Sequence, residues 1–115
     1  MANYNLQPNE FMIMNQNQVS HGGRMANFTG ELILTNLNIV LVSKGAFGNT
    51  KGVQTFPLNQ IKVFNGKAQV LLGKTRGGYP QLDLYFLNGQ ESFGFQSKKE
   101  AVKWGANINK LITGN

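Results

Sequence analysis

The sequence predicts a mainly β domain in which seven antiparallel strands close into a barrel or pack as two sheets, with one C-terminal helix as a cap. Three observations predict this fold. Apolar residues occur in short segments of strand length, separated by turns or by glycine-bearing loops. Asn-Gly pairs, the preferred two-residue hairpin turn, occur at 65–66 and 88–89. After Ser97 the apolar spacing changes from two residues to three or four, the period of a helix.

Seven segments have the length and composition of strands. They are residues 10–14 with an extension to 19, 31–35, 38–43, 53–58 with a bent continuation to 64, 67–72, 82–87 and 90–95. The second and third are rich in aliphatic residues that suit a pleated surface, and they flank a tight turn at 36–37. Pro57 has no amide donor, so the fourth strand is expected at a sheet edge or a bulge.

The last segment predicts a helix between Ser97 and Gly114. Ser97 and Glu100 have the spacing of a capping box, and Gly114 is a typical stop. The apolar face is formed by Ala101, Trp104, Ile108 and Leu111. We expect Trp104 to plug one opening of the barrel, because a capping helix needs a large apolar anchor. Gly105 weakens a helix by about 1 kcal/mol relative to Ala, which suggests a close approach to the sheet.

Length and composition exclude several classes of protein. The chain has 115 residues, which suits one domain, and we expect a polar tail at 1–9 followed by a single domain at 10–115. It has no cysteine and one histidine, His21, so disulfides, thiolate zinc sites and most acid–base relays are excluded or disfavoured. No nucleophile–base pair is evident. The sequence therefore predicts a protein that is not an enzyme and needs no cofactor or metal.

The location follows from what the sequence lacks. No apolar run of about 18 residues is present, and the N-terminal residues do not have the pattern of a secretory signal. We therefore expect a cytoplasmic protein, with peripheral contact at the inner face of the membrane.

The positive charge is unevenly distributed along the chain. Eleven basic and five acidic residues give a net charge of +6, and residues 44–76 carry six bases and no acid. The predicted connections alternate: about 15–29, 44–52 and 73–80 are long, whereas the others are tight turns. Successive turns of a meander lie at opposite ends of a sheet, so the long loops should tend towards one end, where binding usually resides. A steep crossing of two sheets would displace the loop at 73–80 from that end. The predicted anion-binding residues at this end are Arg24, Lys44, Lys51, Lys74 and Arg76.

An aromatic residue accompanies these cations. Phe47 lies between Gly45 and Gly48, with Lys44 and Lys51 nearby. At the tip of a basic loop it would contact a membrane interface or a pocket of a partner, unless it folds back over the mouth of the barrel.

Three segments resemble the pleckstrin-homology superfold, closest to its GRAM-like and bacterial branches. They are Gly30-Glu-Leu-Ile-Leu-Thr-Asn36, Ile39-Val-Leu-Val42 and Phe56-Pro-Leu-Asn-Gln-Ile61, and the Phe93-Gly-Phe95 segment with the tryptophan-bearing helix resembles the family's ending. The resemblance covers about residues 10–112. It implies a module that binds phosphoinositides, other anionic lipids or protein segments. The chain departs from phosphoinositide-binding members around the first hairpin, which offers only His21 and Arg24 in place of several Lys and Arg.

The leading hypothesis is a non-catalytic binding module that attaches to an anionic surface, either membrane lipid or an acidic protein segment, through the basic long-loop end. The alternative is a protein-interaction or homo-oligomeric assembly domain that uses sheet edges and does not bind lipid. Nucleic acid is a disfavoured partner, because the strands lack alternating basic and aromatic exposed positions. Residues 68–75 match a relaxed nucleotide-binding loop, but they suit a strand and no helix follows, so this motif is rejected.

Overall fold

The computed structural model describes residues 4–22, 28–45, 50–75 and 77–114. In these ranges the strands are β1 (Met12–His21), β2 (Gly30–Thr35), β3 (Asn38–Lys44), β4 (Thr50–Pro57), β5 (Val63–Phe64), β6 (Lys67–Ala68), β7 (Val70–Lys74), β8 (Pro80–Phe86) and β9 (Gly89–Gly94). A 3₁₀ turn, Leu58–Gln60, follows β4, and the helix α1 (Lys98–Thr113) ends the fold.

Seven of the strands form one antiparallel sheet in the order β4-β3-β2-β1-β9-β8-β7, and β5 and β6 form a separate hairpin. The strand β1 connects the two halves of this sheet. Its longer part pairs with β2, and its last two residues, Ser20 and His21, pair with β9. The two halves face each other, since the Phe56 ring of β4 lies 5.9 Å from Phe86 and 5.7 Å from Phe93. The predicted fold class, seven antiparallel strands and a C-terminal helix, is confirmed.

The core lies between the two halves of the sheet and α1. Trp104 is 0% exposed, and its ring lies 6.0 Å from that of Phe95. Ala101 and Ile108 are buried on the same face of the helix, as the apolar spacing predicts. Burial of such a large side chain contributes several kcal/mol to stability, so Trp104 anchors the helix to the sheet as expected.

A smaller apolar cluster lies on the outer face of β2 and β3. Ile33, Val40 and Val42 are fully buried there, and Tyr4 packs against them. Every residue of β2 is buried, so this strand is covered on both faces. The segment predicted as a polar tail therefore contributes to packing through Tyr4.

A buried carboxylate ties the N-terminal segment to the β2–β3 turn. Glu10 accepts hydrogen bonds from the Tyr4 hydroxyl (2.8 Å), the Gln7 amide (2.9 Å), Thr35 Oγ1 (2.6 Å) and Asn38 Nδ2 (2.9 Å). Burial by itself raises the pKa of Glu10, but the four donors outweigh burial and lower the pKa below its ordinary value. The carboxylate is thus held in its charged form at the junction.

The first strand begins later than the sequence predicts. Glu10 belongs to a turn and not to a strand, and β1 begins at Met12. Its extension beyond residue 14 contains a β-bulge between Gln16 and Val19, with Gln18 at a φ of 57°.

The segment expected to be one bent strand from 53 to 64 is divided. Leu58 turns into the core, and the Ile61 amide donates to the Leu58 carbonyl, so a 3₁₀ turn replaces strand pairing there. The predicted strand 67–72 is also divided, because the Gln69 amide bonds to Lys62 while the Gln69 carbonyl accepts from Tyr85. Gln69 therefore connects β6 of the small hairpin to β7 of the main sheet.

Two turns and one loop can be compared with their predictions. Asn65 and Gly66 have φ of 52° and 75°, which confirms the predicted hairpin turn. The second hairpin turn lies one residue earlier than predicted, because Phe86 pairs directly with Gly89. The loop expected over 44–52 is shorter, since β3 includes Lys44 and β4 begins at Thr50.

The helix has the predicted caps. The Ser97 hydroxyl accepts from the Glu100 amide at 3.3 Å, and Gly114, at a φ of 80°, donates to the Lys110 carbonyl at 2.8 Å. The carboxylate of Glu100 accepts from Gln16 Nε2 at 2.8 Å, which links the first turn of the helix to β1.

Candidate functional site

The strand register brings three connections, β1–β2, β3–β4 and β7–β8, to one end of the molecule, which we call the rim. The aligned pairs that define it are Val19 with Gly30, Ser43 with Gly52, Gln81 with Gly94 and Lys74 with Pro80. Two of the connections touch there, because the ring of Phe28 lies 4.8 Å from that of Tyr79. The opposite end, which we call the far end, holds the β2–β3, β5–β6 and β8–β9 turns.

The predicted anion-binding residues fall into three groups. Lys44 is at the rim, but its ammonium lies 3.2 Å from the carboxylate of Glu31, which is 4% exposed and also accepts from Asn15. Lys51 and Lys74 are at the rim and exposed. Arg24, Phe47 and Arg76 lie outside the described residues. The charge of Lys44 is therefore compensated within the fold, whereas those of Lys51 and Lys74 face solvent.

All five acidic side chains have hydrogen-bond or ion-pair partners within the fold. Glu10 bonds Tyr4, Thr35 and Asn38, Glu31 bonds Lys44 and Asn15, Asp83 bonds Gln81 and Ser92, Glu91 contacts His21, and Glu100 bonds Gln16. Nine lysines are described, and of these only Lys44 has a carboxylate oxygen within 4.0 Å. The other eight therefore carry charge without an acidic partner in the described part of the chain.

These eight lysines divide between the two ends of the molecule. The helix starts at the rim, because the Phe95 amide just before it bonds to the Pro80 carbonyl at the start of β8. It ends at the far end, where Asn109 accepts from the Ala68 amide. The rim therefore holds Lys51, Lys74, Lys98 and Lys99, the far end holds Lys62, Lys67 and Lys110, and Lys103 lies between them.

Lys98 and Lys99 were not among the residues predicted from the sequence. In the sequence their charges balance nearby acids, but Glu100 and Glu91 are occupied by Gln16 and His21. The signal that could have found them is Ser97, which places the start of the helix directly after the last strand. Both lysines lie in the first turn, where the helix dipole disfavours cations, so a bound anion would relieve the repulsion.

Lys74 and Lys98 line one open pocket of about 300 Å³, together with Leu72, Gly73, Gly78 and Pro80. A larger cleft, of about 520 Å³, lies at the far end between the β2–β3 turn, the 3₁₀ turn and the last turn of α1. Its described lining is apolar or uncharged, with Leu37, Leu58 and Asn59 among its members. The smaller pocket, with its two cations, is therefore the better fit for an anionic group.

His21 falls in the connection predicted at about 15–29, but in the structure it ends β1 and is half-buried. Its Nε2 atom lies 2.8 Å from Glu91 Oε1, and its ring stacks on Phe93 at 5.2 Å. Within the described ranges no three His, Asp or Glu side chains come together as a group that could hold a metal ion. In the same ranges no helix combines the length and apolar character required to cross a bilayer.

Comparison with solved structures shows a PH-like fold. The chain is similar to the Vps36 N-terminal PH domain, with a TM-score of 0.70 and 17% sequence identity, over 95% of this chain and 83% of that one. The resemblance to the pleckstrin-homology superfold is thus confirmed at the level of the fold. Neither the protein-family models nor the curated proteins gave a match.

Proposed function

We propose that this protein is a non-catalytic binding module that attaches to an anionic membrane surface through the rim. One observation carries the proposal: Lys51, Lys74, Lys98 and Lys99 come from three separate elements to one end of the fold, and no carboxylate oxygen of the described residues lies within 4.0 Å of them. Cations without acidic partners are available to an external anion.

A broad charged surface suits these lysines better than a single headgroup. They are exposed and lie on β4, β7 and α1, and His21 near the first hairpin is already paired with Glu91. Each lysine near an anionic leaflet contributes about 1 kcal/mol, so four give binding that is weak and sensitive to salt. The proposal includes a cytoplasmic location with contact at the inner face of the membrane, where anionic lipids concentrate.

The experiment measures co-sedimentation with vesicles of phosphatidylcholine alone and with added phosphatidylserine. The rim variant Lys51→Gln with Lys99→Gln is compared with the far-end variant Lys62→Gln with Lys67→Gln. Both variants lose two charges, so net charge is matched. We expect the rim variant to bind anionic vesicles about 25-fold more weakly, from about 1 kcal/mol per lysine, and the far-end variant to bind like the parent.

Two results would contradict the proposal. Equal partitioning to neutral and anionic vesicles at low salt would remove the electrostatic attachment. Equal losses in the two variants would show that net charge acts from any side of the molecule and that the rim has no special role.

A further inference from the structure

We propose that the free edge of β7, beside the first turns of α1, binds an extended acidic peptide segment by accepting it as an added strand of the main sheet. This site lies beside the membrane attachment proposed above and shares Lys74 and Lys98 with it, but its other contacts are the main chain of β7 and the side chain of Leu72. It rests on the backbone of β7 and on the pocket that contains Lys74 and Lys98.

The backbone of β7 is open on one side. β7 is the last strand in the order of the sheet, so in the described structure only β8 pairs with it. The Gln69 carbonyl accepts from Tyr85 on the side of β8, and the Thr75 amide donates to Tyr79 on the same side. The register between these points has no bulge. Because bonded residues alternate in an antiparallel ladder, Val70, Leu72 and Lys74 direct their amide and carbonyl groups to the open side.

The side chain of Leu72 marks the apolar part of the site. Leu72 is aligned with the buried Leu82, so it lies on the face of the sheet that α1 covers, yet it remains 46% exposed. Gly105 of the helix lies over Val70 and Leu82 and adds no side chain there. Towards the rim, an open pocket lies between β7 and the first turn of α1, and its lining includes Leu72, Lys74 and Lys98.

Charge selects the occupant. Lys74 and Lys98 line the same pocket, and the described residues place no carboxylate oxygen within 4.0 Å of either. A second copy of this chain would bring another net charge of +6 to this edge, which disfavours self-pairing. An acidic strand instead gains main-chain hydrogen bonds from Val70, Leu72 and Lys74, an apolar contact with Leu72 and charge pairing with the two lysines.

The test uses a fluorescein-labelled peptide of alternating Glu and Val and measures its anisotropy with the full chain. The variant Leu72→Pro removes an outward amide without removing a hydrogen bond to β8, whereas the matched variant Leu72→Thr keeps that amide. We expect Leu72→Pro to weaken peptide binding more than tenfold relative to Leu72→Thr, with the same unfolding temperature for both. Equal binding by the two variants, or no binding by the parent, would overturn the proposal.

A charge exchange keeps the test decisive if Leu72→Pro does not fold. Lys74→Glu with Lys98→Glu is expected to lose the Glu-Val peptide and to gain a Lys-Val peptide of the same length. Failure to exchange the preference would contradict the site, and a doubled mass in light scattering would favour edge pairing between two copies. Vesicle binding by Leu72→Pro, and peptide binding by Lys51→Gln with Lys99→Gln, are expected to stay unchanged, so failure of one proposal leaves the other testable.

Discussion

Single residues decide how the N-terminal segment joins the sheet. Glu10 is 7% exposed, and its partners Thr35 and Asn38 are 25 and 28 residues away in the chain. Asn36 adds a second tie, because it donates to the Asn9 carbonyl and accepts from the Phe11 amide. Thr35 and Asn36, which belong to a segment that resembles the pleckstrin-homology superfold, thus have a structural role. They bind residues 9–11, the part of the chain that leads into β1.

The lowered pKa of Glu10 predicts acid sensitivity. The pKa of Glu10 is about 4.5 in the unfolded chain and lower in the folded chain. The charged carboxylate therefore contributes its full stability at pH values above the unfolded pKa. This contribution is lost as the pH falls through the folded pKa. Urea unfolding measured between neutral pH and about pH 3 should show this loss.

The variant Glu10→Gln provides the comparison. It replaces a charged acceptor that holds four donors, so we expect a loss of about 1–3 kcal/mol at neutral pH and a flatter acid profile. An acid profile as steep as that of the parent would assign the sensitivity to other carboxylates.

Gly30 is required by close packing between strands. A Cβ atom there would lie 2.9 Å from the Val19 carbonyl oxygen and 3.0 Å from Leu41 Cδ1. We expect Gly30→Ala to destabilise the fold by about 1–3 kcal/mol, because the backbone of β1 would have to move. Gly52→Ala is the control, since a Cβ atom there meets nothing within 4 Å. Equal effects in chemical denaturation would contradict the packing argument.

At the scale of elements, the helix contains one position that is not optimised. A Cβ atom at Gly105 would lie 3.5 Å from Leu82 Cδ2 and 3.7 Å from Val70 Cγ1, which is ordinary contact distance. Gly105→Ala should therefore stabilise the protein by about 1 kcal/mol in thermal or urea unfolding, through helix propensity alone. A destabilised variant would contradict the argument that a methyl group fits between the helix and the side chains of Leu82 and Val70.

Most elements with strong local signals match their predictions, although the turn predicted at 88–89 lies one residue earlier. Elements set by distant contacts do not match. The turn at Asn65 and Gly66 and the caps at Ser97 and Gly114 depend on residues adjacent in the chain. The break after β4 depends on burial of Leu58 in the core, which its neighbours in sequence do not reveal.

In the molecule as a whole, the N-terminal segment packs against the outer face of β2 and β3 through Tyr4. Removing residues 1–9 would expose Ile33, Val40 and Val42 and would take two hydrogen bonds from Glu10. We expect the truncated protein to lose at least about 1 kcal/mol of stability and to bind more of a dye that reports apolar surface. Unchanged stability would show that residues 10–115 are self-sufficient, as a polar tail implies.

Tertiary structure divides the lysines between the two ends of the molecule. The excess in residues 44–76 does not gather at one end: Lys62 and Lys67 lie at the far end, while Lys98 and Lys99 join Lys51 and Lys74 at the rim. The register of the strands and the direction of the helix produce this arrangement. A net charge of +6 is therefore compatible with two separate basic ends, and the matched double variants are designed to distinguish them.

The fold class, the hairpin turn at 65–66, the helix with its caps and the burial of Trp104 can all be predicted from local residue patterns. The pairing of Lys44 with Glu31, the pocket shared by Lys74 and Lys98 and the open edge of β7 cannot be predicted in this way. These features depend on which strands become neighbours and in what register, and that choice is made by packing between segments far apart in the chain.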